Sequence, residues 1–392
     1  VSIIATDITV ADLAAAVSAG LACLPARPQP AILGAARIDT SEQDSTLSIA
    51  SFDWDSSTTA TMSAVDVAQT VRIAVSGRLL AQVVKVAPKR APLILELDEH
   101  ALRIIAGKTV FTLPLMDVDD YPAIPVVDGG DTLVGKVDAA TLRAAIDRAA
   151  TATVKDSDAR STAHCVSIVD ESGDALGITG LQPKMVVTTL VDWTPQPGGL
   201  DVRIIADELT AILAPFDGGE ITIRTNGGLV GLSGATGDDL RIASTCSTFD
   251  MPYPAWRKLF TGFESASVLD VGDEFAEAVR RCATLAGAKL PQMRMQADAG
   301  AITLTVDGAL VDEVAPLGFD GEPVDFTVNP LALRDLTATI GDKVRLRFQP
   351  AANHPAHIGP IEGEPDIGAP LPDADNGATE CLLMGIGNRS AQ

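Results

Sequence analysis

No apolar run among the 392 residues approaches the roughly 20 that a membrane-spanning helix needs, so no membrane partner is expected. The first residues, VSIIATDITV, carry no basic stretch, and no signal peptide is expected. Cysteine is sparse and dispersed. Cys23, Cys165, Cys246, Cys282 and Cys381 form no CxxC pair, which is the pattern of buried thiols in a reducing cytoplasm. Positive charge is also scarce: 29 Lys and Arg stand against 52 Asp and Glu, a net charge of −23. Taken alone, that balance argues against nucleic acid, unless the basic residues are segregated onto one restricted surface.

Groups that could carry chemistry are equally thin. His354 and His357 could be two metal ligands, but no third lies nearby and the Pro-rich context reads as a solvated loop. His164 and Cys165 lack a third group to activate them, so a strand position in core or edge is expected. The glycines from Gly227 to Gly237 are not followed by Gly-Lys-Ser/Thr, which excludes a phosphate loop of that type. The acidic clusters Asp117-Asp119-Asp120 and Asp238-Asp239 read as turns and solvated edges. No enzyme, no metal and no cofactor is expected.

What the chain does have is an internal repeat. A length of 392 residues suggests two to four domains, and 46% apolar with 21% charged residues is an ordinary globular balance. A short apolar strand, a small or acidic residue, then an apolar-periodic helix recurs six times. The copies are SIIATDITVADLAAAV, VRIAVSGRLLAQVV, TLVGKVDAATLRAAI, DVRIIADELTAIL, SVLDVGDEFAEAV and VDFTVNPLALRDL. Their first anchoring apolar residues are Leu13, Leu79, Leu142, Leu209, Phe275 and Leu333, spaced by 66, 63, 67, 66 and 58 residues. Strand-like segments fill the intervals, with Asn226-Gly227 and Asp307-Gly308 as hairpin turns. One helix on about four strands cannot bury its own core, so two units pair into a domain of ~130 residues. Tyr121-Pro122 and Tyr253-Pro254 punctuate two of the three pair boundaries. The fold class is therefore α+β, with three similar domains at 1–127, 128–259 and 260–392, each two copies of a helix-plus-four-strand unit.

The most informative stretch is Val75 to Pro125. Leu79, Leu80, Val83 and Val84 share one helix face, Pro88 stops that helix, and Asp98-Glu99-His100 turns between two strands. Its blocks VSGRLLAQVVK, FTLPLM and DDYPAIP resemble the first domain of the bacterial DNA polymerase III beta subunit, the sliding clamp, in the style of actinobacterial or phage-encoded members. The resemblance continues through LPARPQPAILG (24–34), STFDMPYPAWRKLF (247–260), FDGEPVDFTVNPLALRDL (319–336) and ECLLMGIGNR (380–389). It implies the DNA clamp fold, a head-to-tail homodimeric ring around double-stranded DNA without sequence preference, and docking of DNA polymerase and clamp loader through short peptide motifs. Sliding clamps are processivity factors in DNA replication.

The resemblance also implies sites. Arg27, Arg78, Lys85, Arg143, Arg148, Arg280, Arg281 and Arg334 would face DNA phosphates, although acids such as Asp147, Glu277 and Asp335 dilute the lining. Phe111 and Leu113 of one chain would meet Thr284 and Leu285 of the other. Ala163, Thr179, Lys184, Met185, Pro254, Leu382, Met384 and Ile386 would wall the partner-peptide pocket. Two departures fall at that pocket. Ile178–Val186 replaces the family's Ala-Thr-Asp-x-x-Arg-Leu-Ala, and Gly385-Ile386-Gly387-Asn388 replaces its terminal Pro-x-Arg-Leu. A divergent clamp with a drifted docking site fits this pattern. Three alternatives stay open: a clamp-derived decoy that binds replication proteins without encircling DNA, a hydrolase on an unusual α+β scaffold, and a repeat protein with no shared function.

Overall fold

A computed structural model of the chain describes residues 2–63, 65–155, 161–171, 174–237, 239–260, 263–286, 291–341, 343–350, 354–367 and 379–386. Among them are six α-helices: α1 (Val10–Gly20), α2 (Gly77–Val86), α3 (Ala139–Ala150), α4 (Ala206–Leu213), α5 (Asp273–Leu285) and α6 (Pro330–Ile340). Each follows directly on a short strand, as the six-fold repeat predicts.

The starts of the helices are written in the sequence. Thr9 and Asp12 form a reciprocal capping box on α1, and the Ser76 hydroxyl accepts from Leu79 N on α2. Asp138 accepts from both the backbone and the hydroxyl of Thr141 at 2.8 Å, which holds its carboxyl below the usual range. Asn329 accepts from Leu331 N at 2.9 Å, and Pro330 follows at the first helical position. Five of the six anchors, Leu13, Leu142, Leu209, Phe275 and Leu333, are buried. In α2 the core position is Leu80, and Leu79 is only half-buried, because the cap at Ser76 orients the helix on Gly77, Leu80, Val83 and Val84.

The chain divides into two compact units, Val1–Arg143 with Trp193–Asp250, and Ala144–Asp192 with Met251–Gln392. In the first, an antiparallel run crosses from strand Arg72–Ser76 through Ala35–Ser41, Thr46–Phe52 and Ser56–Met62 to Leu240–Ser247, Leu229–Thr236, Glu220–Asn226 and Thr132–Asp138. The junction of Ser56–Met62 with Leu240–Ser247 extends over seven register pairs, so strand pairing continues past the punctuation at Tyr121. A meander of Ser2–Thr9, Pro92–Leu97, Ala101–Ala106 and Thr109–Met116 completes this unit. The turn expected at Asn226-Gly227 falls one residue later: Asn226 pairs with Leu229, and the two turn residues, Gly227 and Gly228, both have positive φ.

In the second unit the run is Cys165–Asp170, Ala175–Gln182, Met185–Pro195, Thr379–Met384, Pro355–Pro360, Val344–Phe348, Ser267–Val271 and Gly318–Gly321. A separate four-stranded sheet orders Leu310–Val314, Ile302–Val306, Met293–Ala297 and Val324–Val328. Phe275 and Val279 of α5, Leu333 and Leu336 of α6, and Leu269, Leu346 and Leu383 share one core with that sheet. Gly180 permits the close approach of α3: a Cβ there would stand 1.8 Å from the carbonyl oxygen of Ala149.

Candidate functional site

The proposed docking walls are decided by strand register. A two-residue turn, Pro183-Lys184, pairs Gln182 with Met185, Leu181 with Val186 and Thr179 with Thr188. On the other side Val186 pairs with Leu382 and Met185 with Leu383. Paired residues share a face and successive residues alternate. Thr179, Leu181, Val186 and Leu382 therefore lie on one face, where Val186 and Leu382 pack with Trp256, Tyr253, Phe260 and Phe263. Met185 lies on the opposite face, in the helix-packed core, and borders a cavity of about 670 Å³ with Thr151, Lys155, Asn329 and Asp335. The residue beside Leu382 is thus Val186, not Met185. A shift of one residue in the departing segment exchanges the two faces.

The remaining wall residues are spread along the rim. Lys184 is exposed in the turn, where its carbonyl accepts from Met384 N at 2.9 Å. Pro254 is exposed, and Ala163, Met384 and Ile386 are half-buried. Ile386 N donates to Thr327 O at 2.7 Å, which ties down the end of the last strand. Gly387 and Asn388 lie outside the described residues. The Tyr253 hydroxyl reaches the carbonyls of Cys165 at 3.2 Å and Thr179 at 3.1 Å, so the Tyr-Pro punctuation is fastened across two strands.

His357 corrects the solvated-loop expectation. It lies on the six-residue strand Pro355–Pro360, pairs in register with Leu382, and is hydrogen-bonded through Nε2 to Glu380; both side chains are only 2% exposed. The rings of Phe260 and Phe263 stand edge-on to its imidazole, at 6.2 and 6.1 Å. Prolines at both ends make a short strand look like a loop, and that hid it. On neighbouring strands Arg345 donates to both Asp270 oxygens, at 2.7 and 2.8 Å, and to the carbonyls of Glu362 and Gly363. Among the described residues, no three His, Cys, Asp or Glu side chains gather as a metal site would require.

The basic residues assigned to the helices have unequal freedom. Arg27, Arg78 and Lys85 are exposed. Arg143 is half-buried, and its Nη2 donates to the carbonyls of Leu213, Ala214 and Phe216, where it caps the end of α4. Arg148 is half-buried against the Thr379 hydroxyl at 3.4 Å. Arg280 pairs with Glu277, Arg281 with Asp312 and Arg334 with Asp335. Of the exposed three, Arg78 donates to Ala26 O, and Arg27 and Lys85 have no side-chain partner among the described residues.

The expected self-association residues also separate. Leu113 is 0% exposed and faces inward opposite Leu102, so it belongs to the core. Phe111 is half-buried on the same strand. That strand, Thr109–Met116, pairs on one side along its length with Ala101–Ala106, and on the other only at Leu115 and Met116. Thr284 and Leu285 are exposed at the end of α5, Leu285 by 50%. Close in the same unit, the four-stranded sheet ends on Leu310–Val314, whose Val311 is 70% exposed and whose Asp312 holds Arg281 of α5. Sequence reasoning missed Val311, since an exposed valine in a short strand has no signal of its own.

Known proteins carry the same pattern. Residues 5–125 match the family described as DNA polymerase III beta subunit, N-terminal domain. The beta sliding clamp of Streptomyces coelicolor is 26% identical over 375 residues, covering 92% of this chain and 94% of its own. That of Micrococcus luteus is 31% identical over 283 residues, covering 69% and 86% respectively. The crystal structure of the DNA polymerase sliding clamp from Bacillus subtilis superposes with a TM-score of 0.83 at 20% identity, over 98% of this chain and 99% of that one, a likeness of fold.

Proposed function

The chain belongs to the DNA polymerase III beta subunit family, the beta sliding clamps, and on that premise we propose that two copies close head to tail into a ring around duplex DNA. Each chain contributes three clamp domains, at about 1–127, 128–259 and 260–392. The observation that carries closure is a pair of strand edges that no strand among the described residues fills, Thr109–Pro114 in one unit and Leu310–Val314 in the other. Such edges offer unpaired backbone donors and acceptors to another strand. A head-to-tail arrangement brings the first edge of one copy to the second edge of its partner, and two such junctions close a ring. Leu285 and Val311 would then be covered.

The ring does no chemistry. Exposed Arg27 and Lys85 meet phosphates, joined by Arg78, which is exposed while one of its nitrogens donates to Ala26 O. The other five contribute less, because carbonyls hold Arg143, the Thr379 hydroxyl holds Arg148, and carboxylates hold Arg280, Arg281 and Arg334. Binding is therefore weak and insensitive to sequence, and topology holds the ring in place. Polymerase and loader dock by short peptides on the face of Leu181, Val186 and Leu382, with Pro254, Met384 and Ile386 as its rim.

Light scattering tests the assembly. The expected mass is about 81 kDa, twice 40.6 kDa, and Leu285→Glu with Val311→Lys should reduce it to the mass of one chain. A concentration-independent mass near 41 kDa for the wild type overturns ring closure and favours a clamp-derived decoy that does not encircle DNA.

A further inference from the structure

Trp54 is a bulky aromatic residue at a position where the fold does not bury it. It stands at the tip of the hairpin between Thr46–Phe52 and Ser56–Met62, with φ of 82° and 55% of its surface exposed. A bulky residue is strained in that conformation, which glycine or asparagine would adopt more easily. Burial does not compensate, because more than half of the residue faces solvent. Strained, exposed residues of this kind mark binding sites more often than cores.

The indole is nonetheless held in one orientation. Its Nε1 donates to Gln29 O at 3.2 Å, and its ring meets Phe52 edge-on at a centroid distance of 5.7 Å. Asp53 builds the turn beneath it, its carboxylate accepting from Asp55 N, Ser56 N and the Ser56 hydroxyl. The segment that Trp54 grips is gripped from the other side too: Arg78 of α2 donates to Ala26 O. Exposed Arg27 lies between these two anchored carbonyls. Neither Arg27 nor Arg78 has a carboxylate partner among the described residues.

We propose that Trp54 is a stacking platform for an unpaired base of single-stranded DNA, with Arg27 and Arg78 on the adjoining phosphates. The chemistry is that of sequence-tolerant single-strand binders, a fixed aromatic face beside cations that track the backbone. The interior of a duplex cannot use the platform, because its base faces are already stacked. The site therefore reads the single-stranded side of a primer–template junction. It deepens the clamp reading and rests on it.

The chain reports on this site by itself. Of its three tryptophans, Trp193 and Trp256 are 5% and 9% exposed, so Trp54 is the one a ligand reaches directly. Oligothymidylate and a primed junction should quench intrinsic fluorescence, and a covalently closed circular duplex, which offers no free base face, should not. Trp54→Asn should keep or raise the melting temperature, since it relieves the positive φ. It should also weaken oligothymidylate binding, read by anisotropy of a labelled strand, by roughly five- to 150-fold, the worth of one stacked base. Equal quenching by the closed duplex, no quenching by oligothymidylate, or undiminished affinity in Trp54→Asn each overturns the proposal, and the second leaves the indole to a protein partner. Retention of Trp54→Asn on circular duplex DNA tests the clamp separately, so failure of stacking and failure of encirclement are distinguishable.

Discussion

Leu113 and Leu285 carry the same side chain in opposite environments. Leu113 is sealed between strands, and Leu285 stands half in solvent at the end of α5. Leu113→Ala should cost about 2–5 kcal/mol in urea unfolding, the transfer and cavity cost of a buried leucine. Leu285→Ala should change monomer stability by less than about 0.5 kcal/mol, as surface substitutions do. A mild Leu113→Ala would mean that this strand's inner face is open and available to a partner chain. The two leucines cannot be told apart by sequence, because cores and interfaces both call for apolar residues. His357 was hidden for a related reason: burial beside Glu380 depends on strands distant in sequence, and nothing local records it.

Among the elements, helices were the most legible. Their period, caps and first-turn acids all lie within a dozen residues, and the six strand–helix units stand where the repeat puts them. Register was less legible. Leu80 rather than Leu79 enters the core of α2, and Val186 rather than Met185 joins Leu382, each an offset of one residue that only the assembled neighbours decide. The second offset has a consequence for docking. Phe260, Phe263 and Trp256 lie over the face of Val186 and Leu382, so an incoming peptide must displace or rearrange rings. At about 0.5–1.5 kcal/mol for each side chain ordered, calorimetric titration with a standard bacterial clamp-binding peptide should give an affinity roughly tenfold or more below an ordinary clamp's. Met384→Lys should remove what binding remains. Equal affinity would mean that the covered face is no obstacle.

For the whole molecule, charge is the least direct guide. A net charge of −23 argues against nucleic acid, and the helices do not reverse it. Arg78, Lys85, Arg143, Arg148, Arg280, Arg281 and Arg334 are seven basic residues. Asp12, Asp147, Asp207, Glu208, Asp273, Glu274, Glu277 and Asp335 are eight acids on the same six helices. A protein with so little cationic surface cannot hold DNA tightly by attraction, which makes enclosure the stronger means of retention. Resemblance points to the strand of Phe111 and Leu113, but the edge at Leu310–Val314 is not legible in the sequence, since an edge is defined by the strand that fails to pair with it. The most direct test loads the protein onto nicked circular DNA with its clamp loader and ATP, removes free protein by gel filtration, and then cuts the circle once. The ring should remain with the circle through moderate salt and leave after the cut; retention that is indifferent to the cut would contradict encirclement.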